Sequence, residues 1–287
     1  MPELPEVETI KRGLSPRIRG KVISRITIPS DPKGSRVLRR YPSRSRFIRK
    51  VTGRKILSLK RRAKYLLFEL DSGEIMIVHL GMSGQLLLRP FGSVSPPHSR
   101  IIFTIAEEGE LFFVDPRKFG EVYLYSRPEG DMVIDPFSLG PEPLEKEFTS
   151  GVLAKNLRNR RSPIKVSLLD QKLIAGLGNI YTDEALFRAR IHPIRLSSEL
   201  TGEEVSLLRK CIREVLREAI SLHGTSAADR QYVDSEGSLG KFQTRLNVYQ
   251  RKGKKCPRCG KLIDTIKLAG RTTHFCPGCQ IPAIPPE

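Results

Sequence analysis

The chain has 287 residues, 39% of them hydrophobic, with 50 Lys and Arg against 31 Asp and Glu, a formal net charge of +19 and an isoelectric point near 10.0. That length suffices for two domains, each burying its own core, and so basic a balance points to a polyanionic partner, of which nucleic acid is the commonest. No apolar stretch approaches the roughly 20 residues of a membrane span, and no signal-peptide core follows the N-terminus, so a soluble, intracellular protein without membrane contact is expected.

The chain opens Pro2-Glu3-Leu4-Pro5-Glu6-Val7-Glu8-Thr9 behind Met1. If Met1 is removed, Pro2 carries a secondary amine with a pKa near the α-amino range of ~8, unprotonated often enough at neutral pH to attack an aldehyde-level carbon and hold it as an iminium. Glu3 and Glu6 beside it could shuttle the protons that such chemistry requires. The same residues also read as a plain helix start, with Pro5 suited to the first helical position and Glu6 and Glu8 complementing the positive end of the helix dipole. Between residues 32 and 68 there is no acidic side chain, whereas Arg39, Arg40, Arg44, Arg46, Arg49, Lys60, Arg61 and Lys64 are among the basic ones. A solvated face normally mixes signs, so this run is expected to meet phosphate.

Residues 21–126 read as β structure, with short β-branched or aromatic segments at 22–28, 65–70, 74–80, 100–105, 111–114 and 122–125 separated by turn residues, the pattern of a sandwich or barrel. Pro128, Pro136, Pro141 and Pro143 mark an acidic linker, and beyond it the pattern becomes helical, with helices expected over 165–172, 180–189 and about 203–222. Gly176-Leu177-Gly178-Asn179 joins the first two: Asn179 suits a helix cap, and the amides after it form an anion site close to Arg158, Arg160, Arg161 and Lys165. Cys211 falls on an amphipathic helix and reads as a core residue. The other four cysteines form Cys256-Pro-Arg-Cys259 and Cys276-Pro-Gly-Cys279 with 16 residues between the pairs. Two such turns bring four thiolates into the tetrahedron of structural zinc, whereas redox chemistry needs one pair and disulfides do not suit a reducing compartment. The intervening segment alternates like a hairpin turning at Ala269-Gly270, which places Arg271 at its tip.

Taken together, Pro2–Thr9, Arg61-Arg-Ala-Lys-Tyr-Leu-Leu67, His79-Leu-Gly-Met-Ser-Gly84, Asp115-Pro-Arg-Lys-Phe-Gly120, Gly176-Leu-Gly-Asn-Ile-Tyr181 and the cysteine-bearing ribbon resemble formamidopyrimidine-DNA glycosylase over essentially the whole chain. The resemblance implies an α+β fold: an N-terminal β-sandwich flanked by helices (1–126), a linker (127–150), a helical domain with a helix-two-turn-helix (151–250) and a β-hairpin zinc finger (251–282). It implies a monomeric, cytoplasmic, nucleoid-associated enzyme of base excision repair with one structural Zn2+ and no organic cofactor. Its partner would be double-stranded DNA containing oxidised purines such as 8-oxoguanine, which it would excise before cleaving the abasic site.

By that resemblance Pro2 displaces the damaged base and forms the Schiff base, Glu3 assists ring opening and proton transfer, and Lys64 assists β-elimination. Arg271 serves δ-elimination, either as a phosphate clamp or as a proton donor. His98, Arg117, Arg160, Lys165, Asn179 and Tyr181 match DNA-contacting positions, and the segment 223–241 matches a mobile lid over the extruded base. Met82, Arg117 and Phe119 match residues that enter the duplex, where apolar wedges and a planar guanidinium suit kinked DNA; without the surrounding motifs Met82 and Phe119 would read as core. Lys118 stands where a second arginine is frequent, and Ser99-Arg100 replace a more usual acidic or histidine context. Two alternatives remain open: an endonuclease VIII-like glycosylase for oxidised pyrimidines, and a noncatalytic zinc-dependent protein that binds damaged DNA.

Overall fold

The computed structural model describes residues 1–29, 37–41, 43–125, 138–226 and 232–282. Its contacts divide the chain into two compact units, Met1–Pro136 with Leu222–Lys241, and Phe137–Ser221 with Phe242–Glu287.

In the first unit, helix α1 (Leu4–Ile18) leads into β1 (Ile23–Thr27), helix α2 (Arg44–Val51), β2 (Ile56–Arg62), β3 (Tyr65–Leu70), β4 (Ile75–His79), β5 (Gln85–Arg89), β6 (Ser99–Ile105), β7 (Gly109–Val114) and β8 (Glu121–Tyr125). The strands form two four-stranded sheets, ordered β1-β6-β7-β5 and β2-β3-β4-β8, and every pairing is antiparallel. Because successive side chains point to opposite faces of a sheet, residues two apart share a face. Leu66, Phe68 and Leu70 of β3 join Phe103 of β6 and Phe113 of β7 in one buried cluster between the sheets, together with Val7, Ile10, Leu14 and Ile18 along one side of α1. The alternate residues build a second row, in which Leu67 pairs with Ile77 and Ile77 with Tyr123, all buried. Burying both faces explains why these strands read as near-continuous apolar runs.

Three elements of this unit escape the sequence pattern. Strand β2 ends in Lys60-Arg61-Arg62 and β5 is a run of leucines, neither of them the β-branched alternation that signals a strand. Helix α2 lies inside the stretch read as wholly β: Ser43 Oγ accepts the Arg46 N–H at 3.3 Å as its cap, and Phe47 and Val51, four residues apart, are buried in the core with the half-buried Ile48 packed against it. Residues 222–241 also belong here rather than with the helical domain in which the sequence boundaries placed them, since Leu88 N–H donates to Ser235 O at 3.0 Å and Tyr232 enters the sandwich core.

The second unit holds α3 (Ser150–Leu157), α4 (Ile164–Leu169), α5 (Asn179–Ala189), α6 (Gly202–Ser221) and the hairpin β9 (Asp264–Leu268) and β10 (Arg271–Phe275). Helix α6 starts at a reciprocal cap, Glu204 N–H to Thr201 Oγ1 at 3.2 Å and Thr201 N–H to a Glu204 carboxylate oxygen at 2.9 Å. It buries the stripe Val205, Leu208, Ile212, Val215, Leu216 and Ala219 together with Cys211, whose thiol burial pushes upward in pKa. Helix α3, which the sequence pattern did not pick out, is capped by Thr149, which accepts the Val152 N–H at 3.2 Å. Residues 127–137 of the acidic linker expected at 127–150 lie outside the described residues. Among the described residues, no helix is long and apolar enough to cross a membrane.

Candidate active site and nucleic-acid interface

Pro2 and Glu3 are buried at the start of α1, while Met1 is 39% exposed. Of the two sequence readings of this segment, the helix start is what the structure displays. Glu3 is the N-cap of a capping box with Glu6, and Pro5 stands in the first turn of the helix. Glu6, considered beside Glu3 as a proton shuttle, instead has both carboxylate oxygens engaged by backbone: one accepts Glu3 N–H at 2.8 Å and the other accepts Thr225 N–H at 2.8 Å. Gly224 makes that approach possible, because a Cβ there would stand 2.8 Å from a Glu6 carboxylate oxygen. Glu6 therefore fixes the N-terminal segment to the irregular stretch around Thr225.

Lys64 is buried in the two-residue turn between β2 and β3, next to Ala63, whose φ of 52° is left-handed. The turn is tied to α1 through Arg61, which donates to Glu8 at 2.9 Å and to Ala63 O at 3.1 Å. Burial works to raise the Glu8 carboxyl, but hydrogen bonds from Arg12, Arg61 and Lys11 hold it below its ordinary value, so it stays an anion among cations. The basic run expected to meet phosphate is thus partly neutralised within the fold: Arg61 by Glu8, Lys60 by Glu69, Lys50 by Glu74, and Arg39 and Arg40 by the buried Glu121.

The residues expected to enter a duplex lie on adjoining loops of this same unit. Met82 and Phe119 are 37% and 49% exposed, so neither is a core residue. Arg117 is exposed too, its guanidinium 5.4 Å from the centre of the Phe119 ring. His98 is also exposed, at a left-handed φ of 67°. Large apolar side chains left in water on rigid, basic loops are what a wedge between bases requires.

In the second unit the turn between α4 and α5 is organised by Gln171, a residue that sequence reasoning passed over. Its amide donates to Leu177 O at 2.8 Å and accepts Gly176 N–H at 2.9 Å. Asn179 is not the cap: Gly178 is, and Asn179 is the first helical residue, its amide donating to Thr272 O of the hairpin at 2.9 Å. Arg160 is exposed and paired with Asp170 at 3.0 Å. Lys165 and Tyr181 are placed differently from the expected phosphate contacts, since both are fully buried. The Lys165 ammonium donates to Asp183 at 2.5 Å and to Asn179 O at 3.0 Å, and Tyr181 packs on Phe242 with ring centres 5.7 Å apart. A buried cation needs a partner, and Asp183, unmarked by any sequence motif, is that partner. Its other oxygen accepts the backbone N–H of His274 at 3.0 Å and lies 3.1 Å from the His274 ring nitrogen. Asp183 therefore fastens β10, and with it the exposed Arg271 at the hairpin turn, to α5. Glu184 does the same for the entry to the ribbon by accepting the backbone N–H groups of Asn247, Val248 and Tyr249 at 2.9–3.0 Å.

The four ribbon cysteines come together with all their sulfurs within 4.8 Å of one another. Cys256 and Cys279 sulfurs are 3.8 Å apart and those of Cys259 and Cys276 3.4 Å apart, close to the edge of a tetrahedron around a zinc ion with Zn–S of about 2.3 Å. The turns are shaped for it: Arg258 N–H points at Cys256 Sγ at 3.4 Å, and a Cβ at Gly278 would stand 2.9 Å from Cys259 Sγ. The donor set fits one structural zinc. Phe187 of α5 packs against Cys256 and Cys276, so the metal-bearing ribbon shares its core with the helix that carries Asp183.

Comparison with known proteins accounts for three successive segments of the chain. Residues 1–122 match the formamidopyrimidine-DNA glycosylase N-terminal domain, residues 139–231 the formamidopyrimidine-DNA glycosylase H2TH domain, and residues 253–281 the zinc finger found in FPG and IleRS. The chain is 45% identical over 287 residues to formamidopyrimidine-DNA glycosylase of Chloroflexus aurantiacus, covering 100% of both chains. It is similar to the crystal structure of MutM (FPG) from Thermus thermophilus, with 40% identity, a TM-score of 0.86 and coverage of 99% and 100%. It is also similar to a complex between Lactococcus lactis Fpg and abasic-site DNA, with 39% identity, a TM-score of 0.87 and coverage of 97% and 99%. By identity over its full length and by the order of its three domains, the chain belongs to the formamidopyrimidine-DNA glycosylase family.

Proposed function

We propose that this chain is a bifunctional DNA glycosylase and abasic-site lyase of base excision repair, acting as a monomer on the nucleoid in the cytoplasm. It excises oxidised purines, 8-oxoguanine and formamidopyrimidines, from duplex DNA. Removal of Met1 exposes the Pro2 secondary amine, which attacks C1′ of the extruded nucleotide; the bond to the damaged base breaks and the sugar ring opens to give an iminium. Glu3 supplies the proton that ring opening requires. Lys64 promotes loss of the 3′ phosphate by β-elimination, and Arg271 holds the phosphate that leaves in δ-elimination. His98, Arg117, Arg160 and Asn179 meet the DNA backbone, and Met82, Arg117 and Phe119 fill the space the extruded nucleotide vacates. Lys165 and Tyr181 serve by shaping the turn before α5, and the zinc holds the ribbon that carries Arg271.

The observation that carries this reading is the buried Pro2-Glu3 start held by Glu6, in a chain that also leaves Met82 and Phe119 in water. The lid expected over 223–241 includes residues 227–231, which lie outside the described residues. The test compares release of 8-oxoguanine opposite cytosine with release of thymine glycol from otherwise identical duplexes. Faster release of 8-oxoguanine is expected. Preference for thymine glycol would favour the endonuclease VIII-like alternative, and tight binding without release of either base would favour the noncatalytic one.

A further inference from the structure

Four of the residues placed at the DNA in the proposed function, Met82, His98, Arg117 and Phe119, sit on three separate loops, and one buried residue, Asp115, bonds to all three, to two through its side chain and to the His98 loop through its main chain. Asp115, 1% exposed, accepts Ser83 Oγ–H at 2.6 Å with one carboxylate oxygen and Gly120 N–H at 2.7 Å with the other. Ser83, also 1% exposed, follows Met82 in the chain and in turn accepts the Arg117 N–H at 3.3 Å. The main chain of Asp115 extends the same junction, its N–H donating to His98 O at 3.0 Å and its carbonyl accepting from Arg100 at 2.8 Å.

The backbones around this carboxylate are pressed together. Gly81 is left-handed, with φ of 63°, and a Cβ there would stand 2.5 Å from the carbonyl carbon of Phe119. A Cβ on Gly120 would stand 2.4 Å from the Phe113 ring. On the other side of the loop, Arg39 donates to Phe119 O at 3.2 Å and is itself held by Glu121.

We propose that Asp115, acting through Ser83, is the positioning residue that sets the duplex-entering side chains in register, so that the two apolar wedges and the arginine enter the helix as one rigid piece. This rests on the proposed function for the identity of the DNA-entering residues. The physical basis is that a carboxylate with both oxygens committed to donors on different loops leaves those loops no independent motion, and hydrogen bonds to a charged acceptor are the strong ones. Ser83→Ala removes the link between the Met82 loop and the Arg117 loop while leaving Asp115 and its Gly120 bond in place.

The experiment uses the full-length, zinc-loaded protein and two probes. The first is a duplex carrying a tetrahydrofuran abasic analogue with 2-aminopurine beside the orphaned base, whose fluorescence rises when neighbouring bases unstack and which requires no bond cleavage. The second is single-stranded abasic DNA trapped with borohydride, which requires Pro2 but no wedge. For Ser83→Ala, and in the same direction for Asp115→Asn, the rate of the fluorescence rise should fall roughly 10- to 100-fold, the weight of one hydrogen bond to a charged group. Trapping on the single strand should be unchanged. An unaltered fluorescence rate, or no fluorescence change with the unsubstituted protein, overturns the proposal. So does an equal loss in both arms, which would mark general damage to the fold. Failure of the unsubstituted protein to trap, with the fluorescence response intact, would instead count against Pro2 chemistry and leave the wedge assignment standing.

Discussion

His79 gives a pH dependence that can be worked from the structure. It ends β4, its ring packed on Tyr65 with centroids 4.7 Å apart. Loss of solvent, followed by the positive charges of Lys64, Arg40 and Arg39, lowers its pKa from 6.5 to about 4. The folded protein therefore keeps the imidazole neutral where the unfolded chain takes up a proton. The associated stability is complete above the unfolded value of 6.5 and is lost as the pH falls toward about 4. At ~1.4 kcal/mol per pKa unit, that gap corresponds to about 3 kcal/mol in total, of which about 2 kcal/mol is felt by about pH 5. His79→Phe keeps a ring against Tyr65 and should flatten this part of the profile, whatever it does to stability at neutral pH. Urea unfolding followed by far-UV circular dichroism across this range, for both proteins, measures the slope, and proton NMR of a chain with only 5 histidines reads the His79 titration directly. A folded-state titration near the ordinary histidine value, or an identical acid slope in His79→Phe, would refute the reasoning.

Two further outcomes are expected. Asp183→Ala strands the fully buried Lys165 ammonium and should destabilise the helical unit by about 3–5 kcal/mol in urea unfolding, with Lys165→Met/Asp183→Leu losing much less; equal losses would contradict the pairing. Metal analysis should find one zinc per chain, and Cys259→Ser should abolish it and weaken duplex binding while leaving single-stranded abasic DNA trappable through Pro2; full zinc retention in that variant would contradict the four-sulfur site.

Much of the site was legible because its residues carry chemistry that local spacing reveals. Two Cys-x-x-Cys turns imply four converging sulfurs wherever they fold, and the turn read at Ala269-Gly270 is where the structure has two consecutive residues at positive φ, 46° and 73°, between the paired strands β9 and β10. The exposure of Met82 and Phe119 was legible only through their motifs, since apolar side chains taken singly belong to cores. What the sequence hid were pairings across long separations. Nothing local distinguishes Asp183, whose partners are Lys165 and His274, and although Asp115 and Ser83 each lie in a motif, nothing in either motif pairs them across 32 residues. Lys165 looked like one more phosphate ligand because a lysine beside arginines carries no sign of its own burial. Asn179 looked like a cap because Asn follows Gly, but the hairpin supplies a carbonyl to its side chain, and Gly178 takes the cap position instead.

In the proposed reaction the nitrogen of Pro2, once freed, bonds covalently to a sugar carbon of damaged DNA. Borohydride reduction of the processed, zinc-loaded protein with a duplex containing 8-oxoguanine, followed by mass analysis of the linked peptide, tests it most directly. One covalent complex is expected, with the DNA remnant on Pro2. Linkage at Lys64 or any other lysine, or no linkage from a protein whose N-terminus is demonstrably Pro2, would contradict it.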